Sequence, residues 1–278
     1  MSCRFPGMSL SSLPLLRAGV LAMVLMVGGA AQGMAQVLVR SSLSQDDEVS
    51  PGTTYERTIE LYNSDDSTRT AEVSLRDYTF TYEGTTNYAE PGTLERSNAP
   101  WINYGGSTVT LPPEEEVELT YQVDVPETVD GEPPSGTYWS MLLIEPLNQQ
   151  TASADQGLAV QQVRRYGIQV ATHIGGTGTP EVEILSTDLR RREDQTALTL
   201  AVQNTGTRSA RPSAQLELYD EAGTLVTKEQ TSPKRVYPGT SARYQIDLSD
   251  VSSGTYQALL VLQMEDADPI GRQFTVNL

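Results

Sequence analysis

Ser135-Gly136-Thr137-Tyr138-Trp139-Ser140-Met141-Leu142-Leu143-Ile144 decides the fold, because its plan returns as Ser253-Gly254-Thr255-Tyr256-Gln257-Ala258-Leu259-Leu260-Val261-Leu262. Each copy is a glycine turn, then a tyrosine, then an apolar run of buried-strand length. A tyrosine opening a late strand just after a glycine turn is the setting of the tyrosine corner in immunoglobulin-like sandwiches. Tyr138 and Tyr256 both fit it.

Two more landmarks precede each copy in the same order. The first is an alternating strand that ends in asparagine, Ile59-Glu60-Leu61-Tyr62-Asn63 and then Leu200-Ala201-Val202-Gln203-Asn204. The second is a proline turn that feeds another alternating strand. Leu111-Pro112-Pro113 runs into Val117–Val125, and Val236-Tyr237-Pro238-Gly239 runs into Tyr244–Leu248. Period-two alternation sends one set of side chains to a core and the other to water. An ordered repeat of this length means one domain plan used twice. The expected fold is all-β, with two tandem immunoglobulin-like sandwiches at 36–175 and 176–278. Gly175-Gly176-Thr177-Gly178-Thr179-Pro180 reads as a linker between them.

The first 35 residues read as a cleaved secretory signal. Arg4 and Arg17 precede the uncharged run Ala18–Ala31, which is too short to span a bilayer, and Gly33-Met34-Ala35 supplies small residues before a cut at Gln36. The expected location is periplasmic or extracellular, with no transmembrane segment in the mature chain. The single cysteine, Cys3, leaves with the signal, so stability must come from the cores. The net charge of −17 repels nucleic acid and anionic lipid, which argues against both as partners.

Catalytic groups are thin. His173 is the only histidine and reads as a surface or edge residue of a strand. No nucleophile elbow, phosphate loop or dinucleotide fingerprint occurs. With one histidine and no mature cysteine, no metal centre or cofactor is expected and the chain reads as a non-enzyme. The acidic runs Asp46-Asp47-Glu48, Asp65-Asp66, Glu114-Glu115-Glu116 and Glu265-Asp266-Ala267-Asp268 lack calcium-loop spacing and read as solvated turns.

Two stretches offer binding surfaces. Ala99-Pro100-Trp101-Ile102-Asn103-Tyr104-Gly105-Gly106 places Trp101 near Tyr104, either as a recognition patch or as a plug over one end of the sandwich. Gln161-Gln162-Val163-Arg164-Arg165-Tyr166-Gly167-Ile168-Gln169-Val170 reads as the last strand of the first domain. Arg164 and Arg165 point to opposite faces, so one of them can clamp a carboxylate on a given side. A local salt bridge is the alternative use.

Together Ile59–Asn63, Ala99–Ile102, Leu111–Val125, Ser135–Glu145 and Arg164–Val170 resemble two-domain bacterial proteins that share the plan of periplasmic pilus-assembly chaperones. They are also similar to extracellular proteins that bind WxL surface proteins and peptidoglycan. The resemblance implies non-enzymatic binding of surface or fibre protein subunits, or of peptidoglycan. It also implies a basic pair on the first and last strands of domain one. Arg40 matches the first position, while Gly167 stands at the second with Arg165 as a shifted candidate. WxL-binding proteins end in a transmembrane helix and basic tail, whereas this sequence ends in the strand Gln273–Leu278. The expected mechanism is strand addition at a Leu158–Ile174 edge, with Arg40 and Arg165 as anchors. A glycan site at Trp101 and Tyr104 is the alternative.

Overall fold

A computed structural model describes residues 37–147, 164–192, 195–265 and 267–278. The predicted signal and residues 148–163, including the Leu158–Val163 part of the expected edge, lie outside the described residues. So does Asp266.

In chain order the first sandwich is built from β1 (Val37–Val39), β2 (Ser44–Val49), β3 (Thr54–Asn63), β4 (Arg69–Phe80) and β5 (Thr86–Ala89). A short 3-10 turn at Ala99–Trp101 leads to β6 (Ile102–Asn103), β7 (Thr108–Leu111), β8 (Glu116–Asp124), β9 (Gly136–Pro146) and β10 (Tyr166–Ile174). One sheet has the order β1-β3-β8-β6. The other runs β2-β10-β9-β4, with β5 and β7 both on β4. The first strand region is therefore split between the sheets: β1 pairs antiparallel with β3, and β2 pairs parallel with β10.

The second sandwich uses β11 (Val182–Arg192), β12 (Gln195–Asn204), β13 (Ser213–Tyr219), β14 (Leu225–Gln230), β15 (Ser241–Asp247), β16 (Thr255–Met264) and β17 (Ala267–Asn277). Its sheets are β11-β12-β15 and β14-β13-β16-β17. The alternating residues fill two separate cores. Ile59, Leu61, Tyr121, Leu142 and Ile168 lie in the first, and Leu200, Leu216, Tyr244, Leu260 and Leu262 in the second. Each such side chain contributes about 1.5–3 kcal/mol on burial.

The repeated landmarks touch in space. Asn63 is fully buried and its Nδ2 donates to the carbonyls of Ser67, Leu111 and Pro112, while Oδ1 accepts from the Asp65 N–H. Asn204 repeats this, donating to the Arg208 and Val236 carbonyls and accepting from Gly206. The asparagine closes its own turn and pins the proline turn of the second landmark against it. In the second sandwich the Tyr256 hydroxyl donates to the Ser252 carbonyl at 2.8 Å, a tyrosine corner. In the first, the Tyr138 ring packs on Trp101 with centroids 4.6 Å apart.

One expectation needs correction here. Asp46-Asp47-Glu48 is strand β2, not a solvated turn, because each carboxylate finds an arginine: Arg235 and Arg211 on Asp46, Arg57 on Asp47, Arg208 on Glu48. The stretch Gly175–Pro180 connects β10 to β11 and is close-packed. A Cβ on Gly178 would stand 2.6 Å from the Gly136 Cα, and one on Gly136 would stand 2.0 Å from the Thr207 carbonyl oxygen. The Thr137 N–H donates to that same oxygen at 3.0 Å, and Arg208 donates to the Ile174 and Thr177 carbonyls. Glycine serves close approach here.

Candidate partner-binding edge and the joint beside it

β10 antiparallel to β9 places its even residues inward, where Ile168, Val170 and Ile174 join the first core. Its odd residues Gly167, Gln169, Ala171 and His173 lie on the opposite face, where Ala171 is buried and His173 largely covered. The Gln169 N–H donates to the Leu43 carbonyl at 2.9 Å, so main-chain groups of odd residues point away from β9. β2 begins at Ser44, opposite Gln169, and covers β10 from there to Ile174. Opposite Tyr166, Gly167 and Ile168, strand β10 is paired among the described residues on the β9 side only. The expected edge is thus half covered, and its open part is the start of β10. Gly167 is the residue whose N–H and C=O face the open side there. A Cβ on Gly167 would stand 2.5 Å from the Met141 Sδ, part of a flexible side chain that can shift to admit it.

The four residues singled out from sequence are spread apart. Arg165 reaches Glu145 on β9, with Nε 2.7 Å from Oε2. Arg40 reaches Glu116 at 2.8 Å and lies over the Tyr62 ring at 3.8 Å, on the opposite sheet. Both arginines stand at the end of the sandwich remote from the joint, each already on an acid, and no contact brings them together. Such exposed pairs are worth about 0–1 kcal/mol, so either arginine can exchange partners cheaply. Trp101 is half-buried against Tyr138, and Tyr104 is half-buried against the first core.

Sequence reasoning missed the joint. His173 is not a surface or edge residue: it lies between β2 and β9, Nδ1 2.8 Å from Thr137 Oγ1 and Nε2 3.4 Å from Asp46 Oδ1. Asp46 gathers His173, Arg211 and Arg235, the two arginines coming from the second sandwich. Beside it Trp139 and Tyr237 stack, centroids 4.7 Å apart and planes within 3°. Tyr78, Met141, Leu143 and Ala171 complete this third apolar cluster. Asp77 was also missed. It is fully buried and accepts from Ser97 Oγ and the N–H groups of Thr93 and Leu94, which fixes the loop that carries Trp101.

Burial opposes the Asp46 charge, but hydrogen bonds from His173 and Arg235 and their charges outweigh it and hold the carboxyl below its usual range. A depressed folded value adds stability that is complete above the ordinary carboxylate pKa of about 3.9 and is lost as pH falls through the folded value. The joint should therefore hold at neutral pH and loosen only in acid. Asp46→Asn should loosen it at pH 7, read as a shift in Trp139 emission. Unchanged emission in both experiments would remove Asp46 from this role.

No family model matches the chain, and no curated protein matches it in sequence. Solved structures similar to it include a chain from a chaperone–tip adhesin complex of CFA/I fimbriae biogenesis, at 11% identity and TM-score 0.47, covering 86% of this chain and 98% of that one. A chain of the CsuC–CsuE chaperone–tip adhesion subunit pre-assembly complex from Csu pili of Acinetobacter baumannii is similar at 14% identity and TM-score 0.41, covering 77% and 94%. The class 5 fimbriae chaperone CfaA is similar at 9% identity and TM-score 0.44, covering 87% of this chain and 100% of that one.

Proposed function

We propose that this chain is an exported, non-enzymatic binding protein that assists assembly of surface-fibre or cell-envelope proteins. It accepts an extended segment of a partner subunit alongside the start of β10. The observation that carries this reading is the half-covered strand: β2 begins only opposite Gln169, and the Gly167 main-chain groups face a side left open among the described residues. A strand laid there gains main-chain hydrogen bonds, and side-chain pockets select its sequence. Asp46 and its arginines hold β2 in place, so the opening keeps a fixed length. Arg164 and Arg165 stand at the mouth of the opening, where a partner carboxylate can replace Glu145 on Arg165.

The test separates main chain from side chain. Gly167→Ala and Gly167→Pro both crowd Met141, but only proline removes the outward N–H. With cell-envelope extract as the source of partners, Gly167→Ala should still capture surface proteins and Gly167→Pro should not. Equal capture by both variants would contradict strand addition at this place.

A further inference from the structure

We propose that the segment taken up at β10 is acidic, and that one of its bulky apolar side chains, with a neighbouring carboxylate, seats in the groove between the β4–β5 hairpin and the second sandwich. This rests on the β10 reading and specifies the partner. The groove has a volume of about 440 Å³. Met141 and Gln169 belong to its floor, Phe80 and Tyr82 to one wall, Lys234 and Arg243 to the other. That size and mixed lining suit a few large side chains with a polar group.

The groove and the open edge share one face of the sheet. An added strand sends alternate side chains outward, onto the side where Gly167, Gln169 and Met141 lie. Gly167 raises no side chain above that face, and the Met141 sulfur occupies the space instead. An outward side chain of the guest can lean across this low saddle toward the groove. The groove walls are also fixed relative to each other, because the Tyr82 N–H donates to Ser241 Oγ at 2.9 Å across the two sandwiches.

Charge selects the guest. The chain has a net charge of −17 and only two lysines, Lys228 and Lys234. One of these, Lys234, lines the groove with its Nζ 5.1 Å from the centre of the Tyr244 ring, and the Arg243 guanidinium stands 5.9 Å over the Tyr82 ring. Arg164 and Arg165 add cations at the open end of β10. Cations next to aromatic rings in an otherwise anionic protein favour a carboxylate beside an apolar side chain.

Two fluorescent peptides test this on the full mature chain at about 0.15 M salt, where a screening length of about 8 Å leaves the local cations to act and mutes the overall negative charge. One alternates valine and glutamate and carries a single phenylalanine; the other has lysine in place of every glutamate. The acidic peptide should bind about tenfold tighter, a difference that two modest ion pairs supply. Lys234→Glu with Arg243→Glu should reverse the preference. Tight binding without charge preference would overturn the groove proposal and leave the seat on β10 standing. Failure of both peptides to bind would overturn both.

Discussion

Gly136→Ala should cost about 3 kcal/mol of stability and separate the two sandwiches, because it adds left-handed strain and overpacking at once. Gly136 has φ +75°, and its Cβ would fall 2.0 Å from the Thr207 carbonyl oxygen, a backbone atom that cannot rotate away. Relief requires the Thr137–Thr207 bond to break and Gly178 to move with it. Trp139, three residues along the same strand, would lose its stack on Tyr237. Gly223→Ala is the control, since Gly223 has φ +78° and nothing within 4 Å, so it pays strain alone at about 1–2 kcal/mol. Urea unfolding followed by tryptophan emission compares the two. Equal losses would mean that the joint is not close-packed.

Asn204→Ala should be nearly as damaging. It removes the donor to the Arg208 and Val236 carbonyls and the acceptor for the Gly206 N–H, all at a residue with no exposed surface. Buried main-chain groups left without partners cost about 1–3 kcal/mol each, and partial access of water to the turn brings the expected total to about 3 kcal/mol. Asn63→Ala should cost a similar amount in the first sandwich, and the two losses should add because the sites share no contact. Aspartate cannot donate, so Asn204→Asp should fare no better. Chemical unfolding of the single and double variants reads all of this, and a loss under 1 kcal/mol would deny the asparagine its pinning role.

These effects show what the sequence carries openly and what it hides. Period two, the Ser253-Gly254-Thr255-Tyr256 turn and the strand-ending asparagines are local patterns, and each maps to a local cause: a buried face, a corner, a closed turn. The joint has no local signature. Asp46 and Arg235 lie 189 residues apart, and Trp139 meets Tyr237 across the two sandwiches. Nothing in their neighbours along the chain marks them as partners. Gly178 illustrates the same limit. The residue that frees a backbone is also the one that lets two backbones touch, and composition alone does not distinguish the two uses. The candidate edge was half legible. The strand Tyr166–Ile174 could be read from its alternation, but its coverage by β2 could not, because Ser44-Gln45-Asp46-Asp47 is too polar to suggest a strand.

The most direct measurement is the hydrogen exchange of the Gly167 amide, alone and with the acidic peptide bound. The account predicts fast exchange in the free chain and strong protection on binding, with the Val170 amide, inside the ladder to β9, slow in both states. A Gly167 amide that is already slow when free, or that stays fast when the peptide is bound, would contradict it.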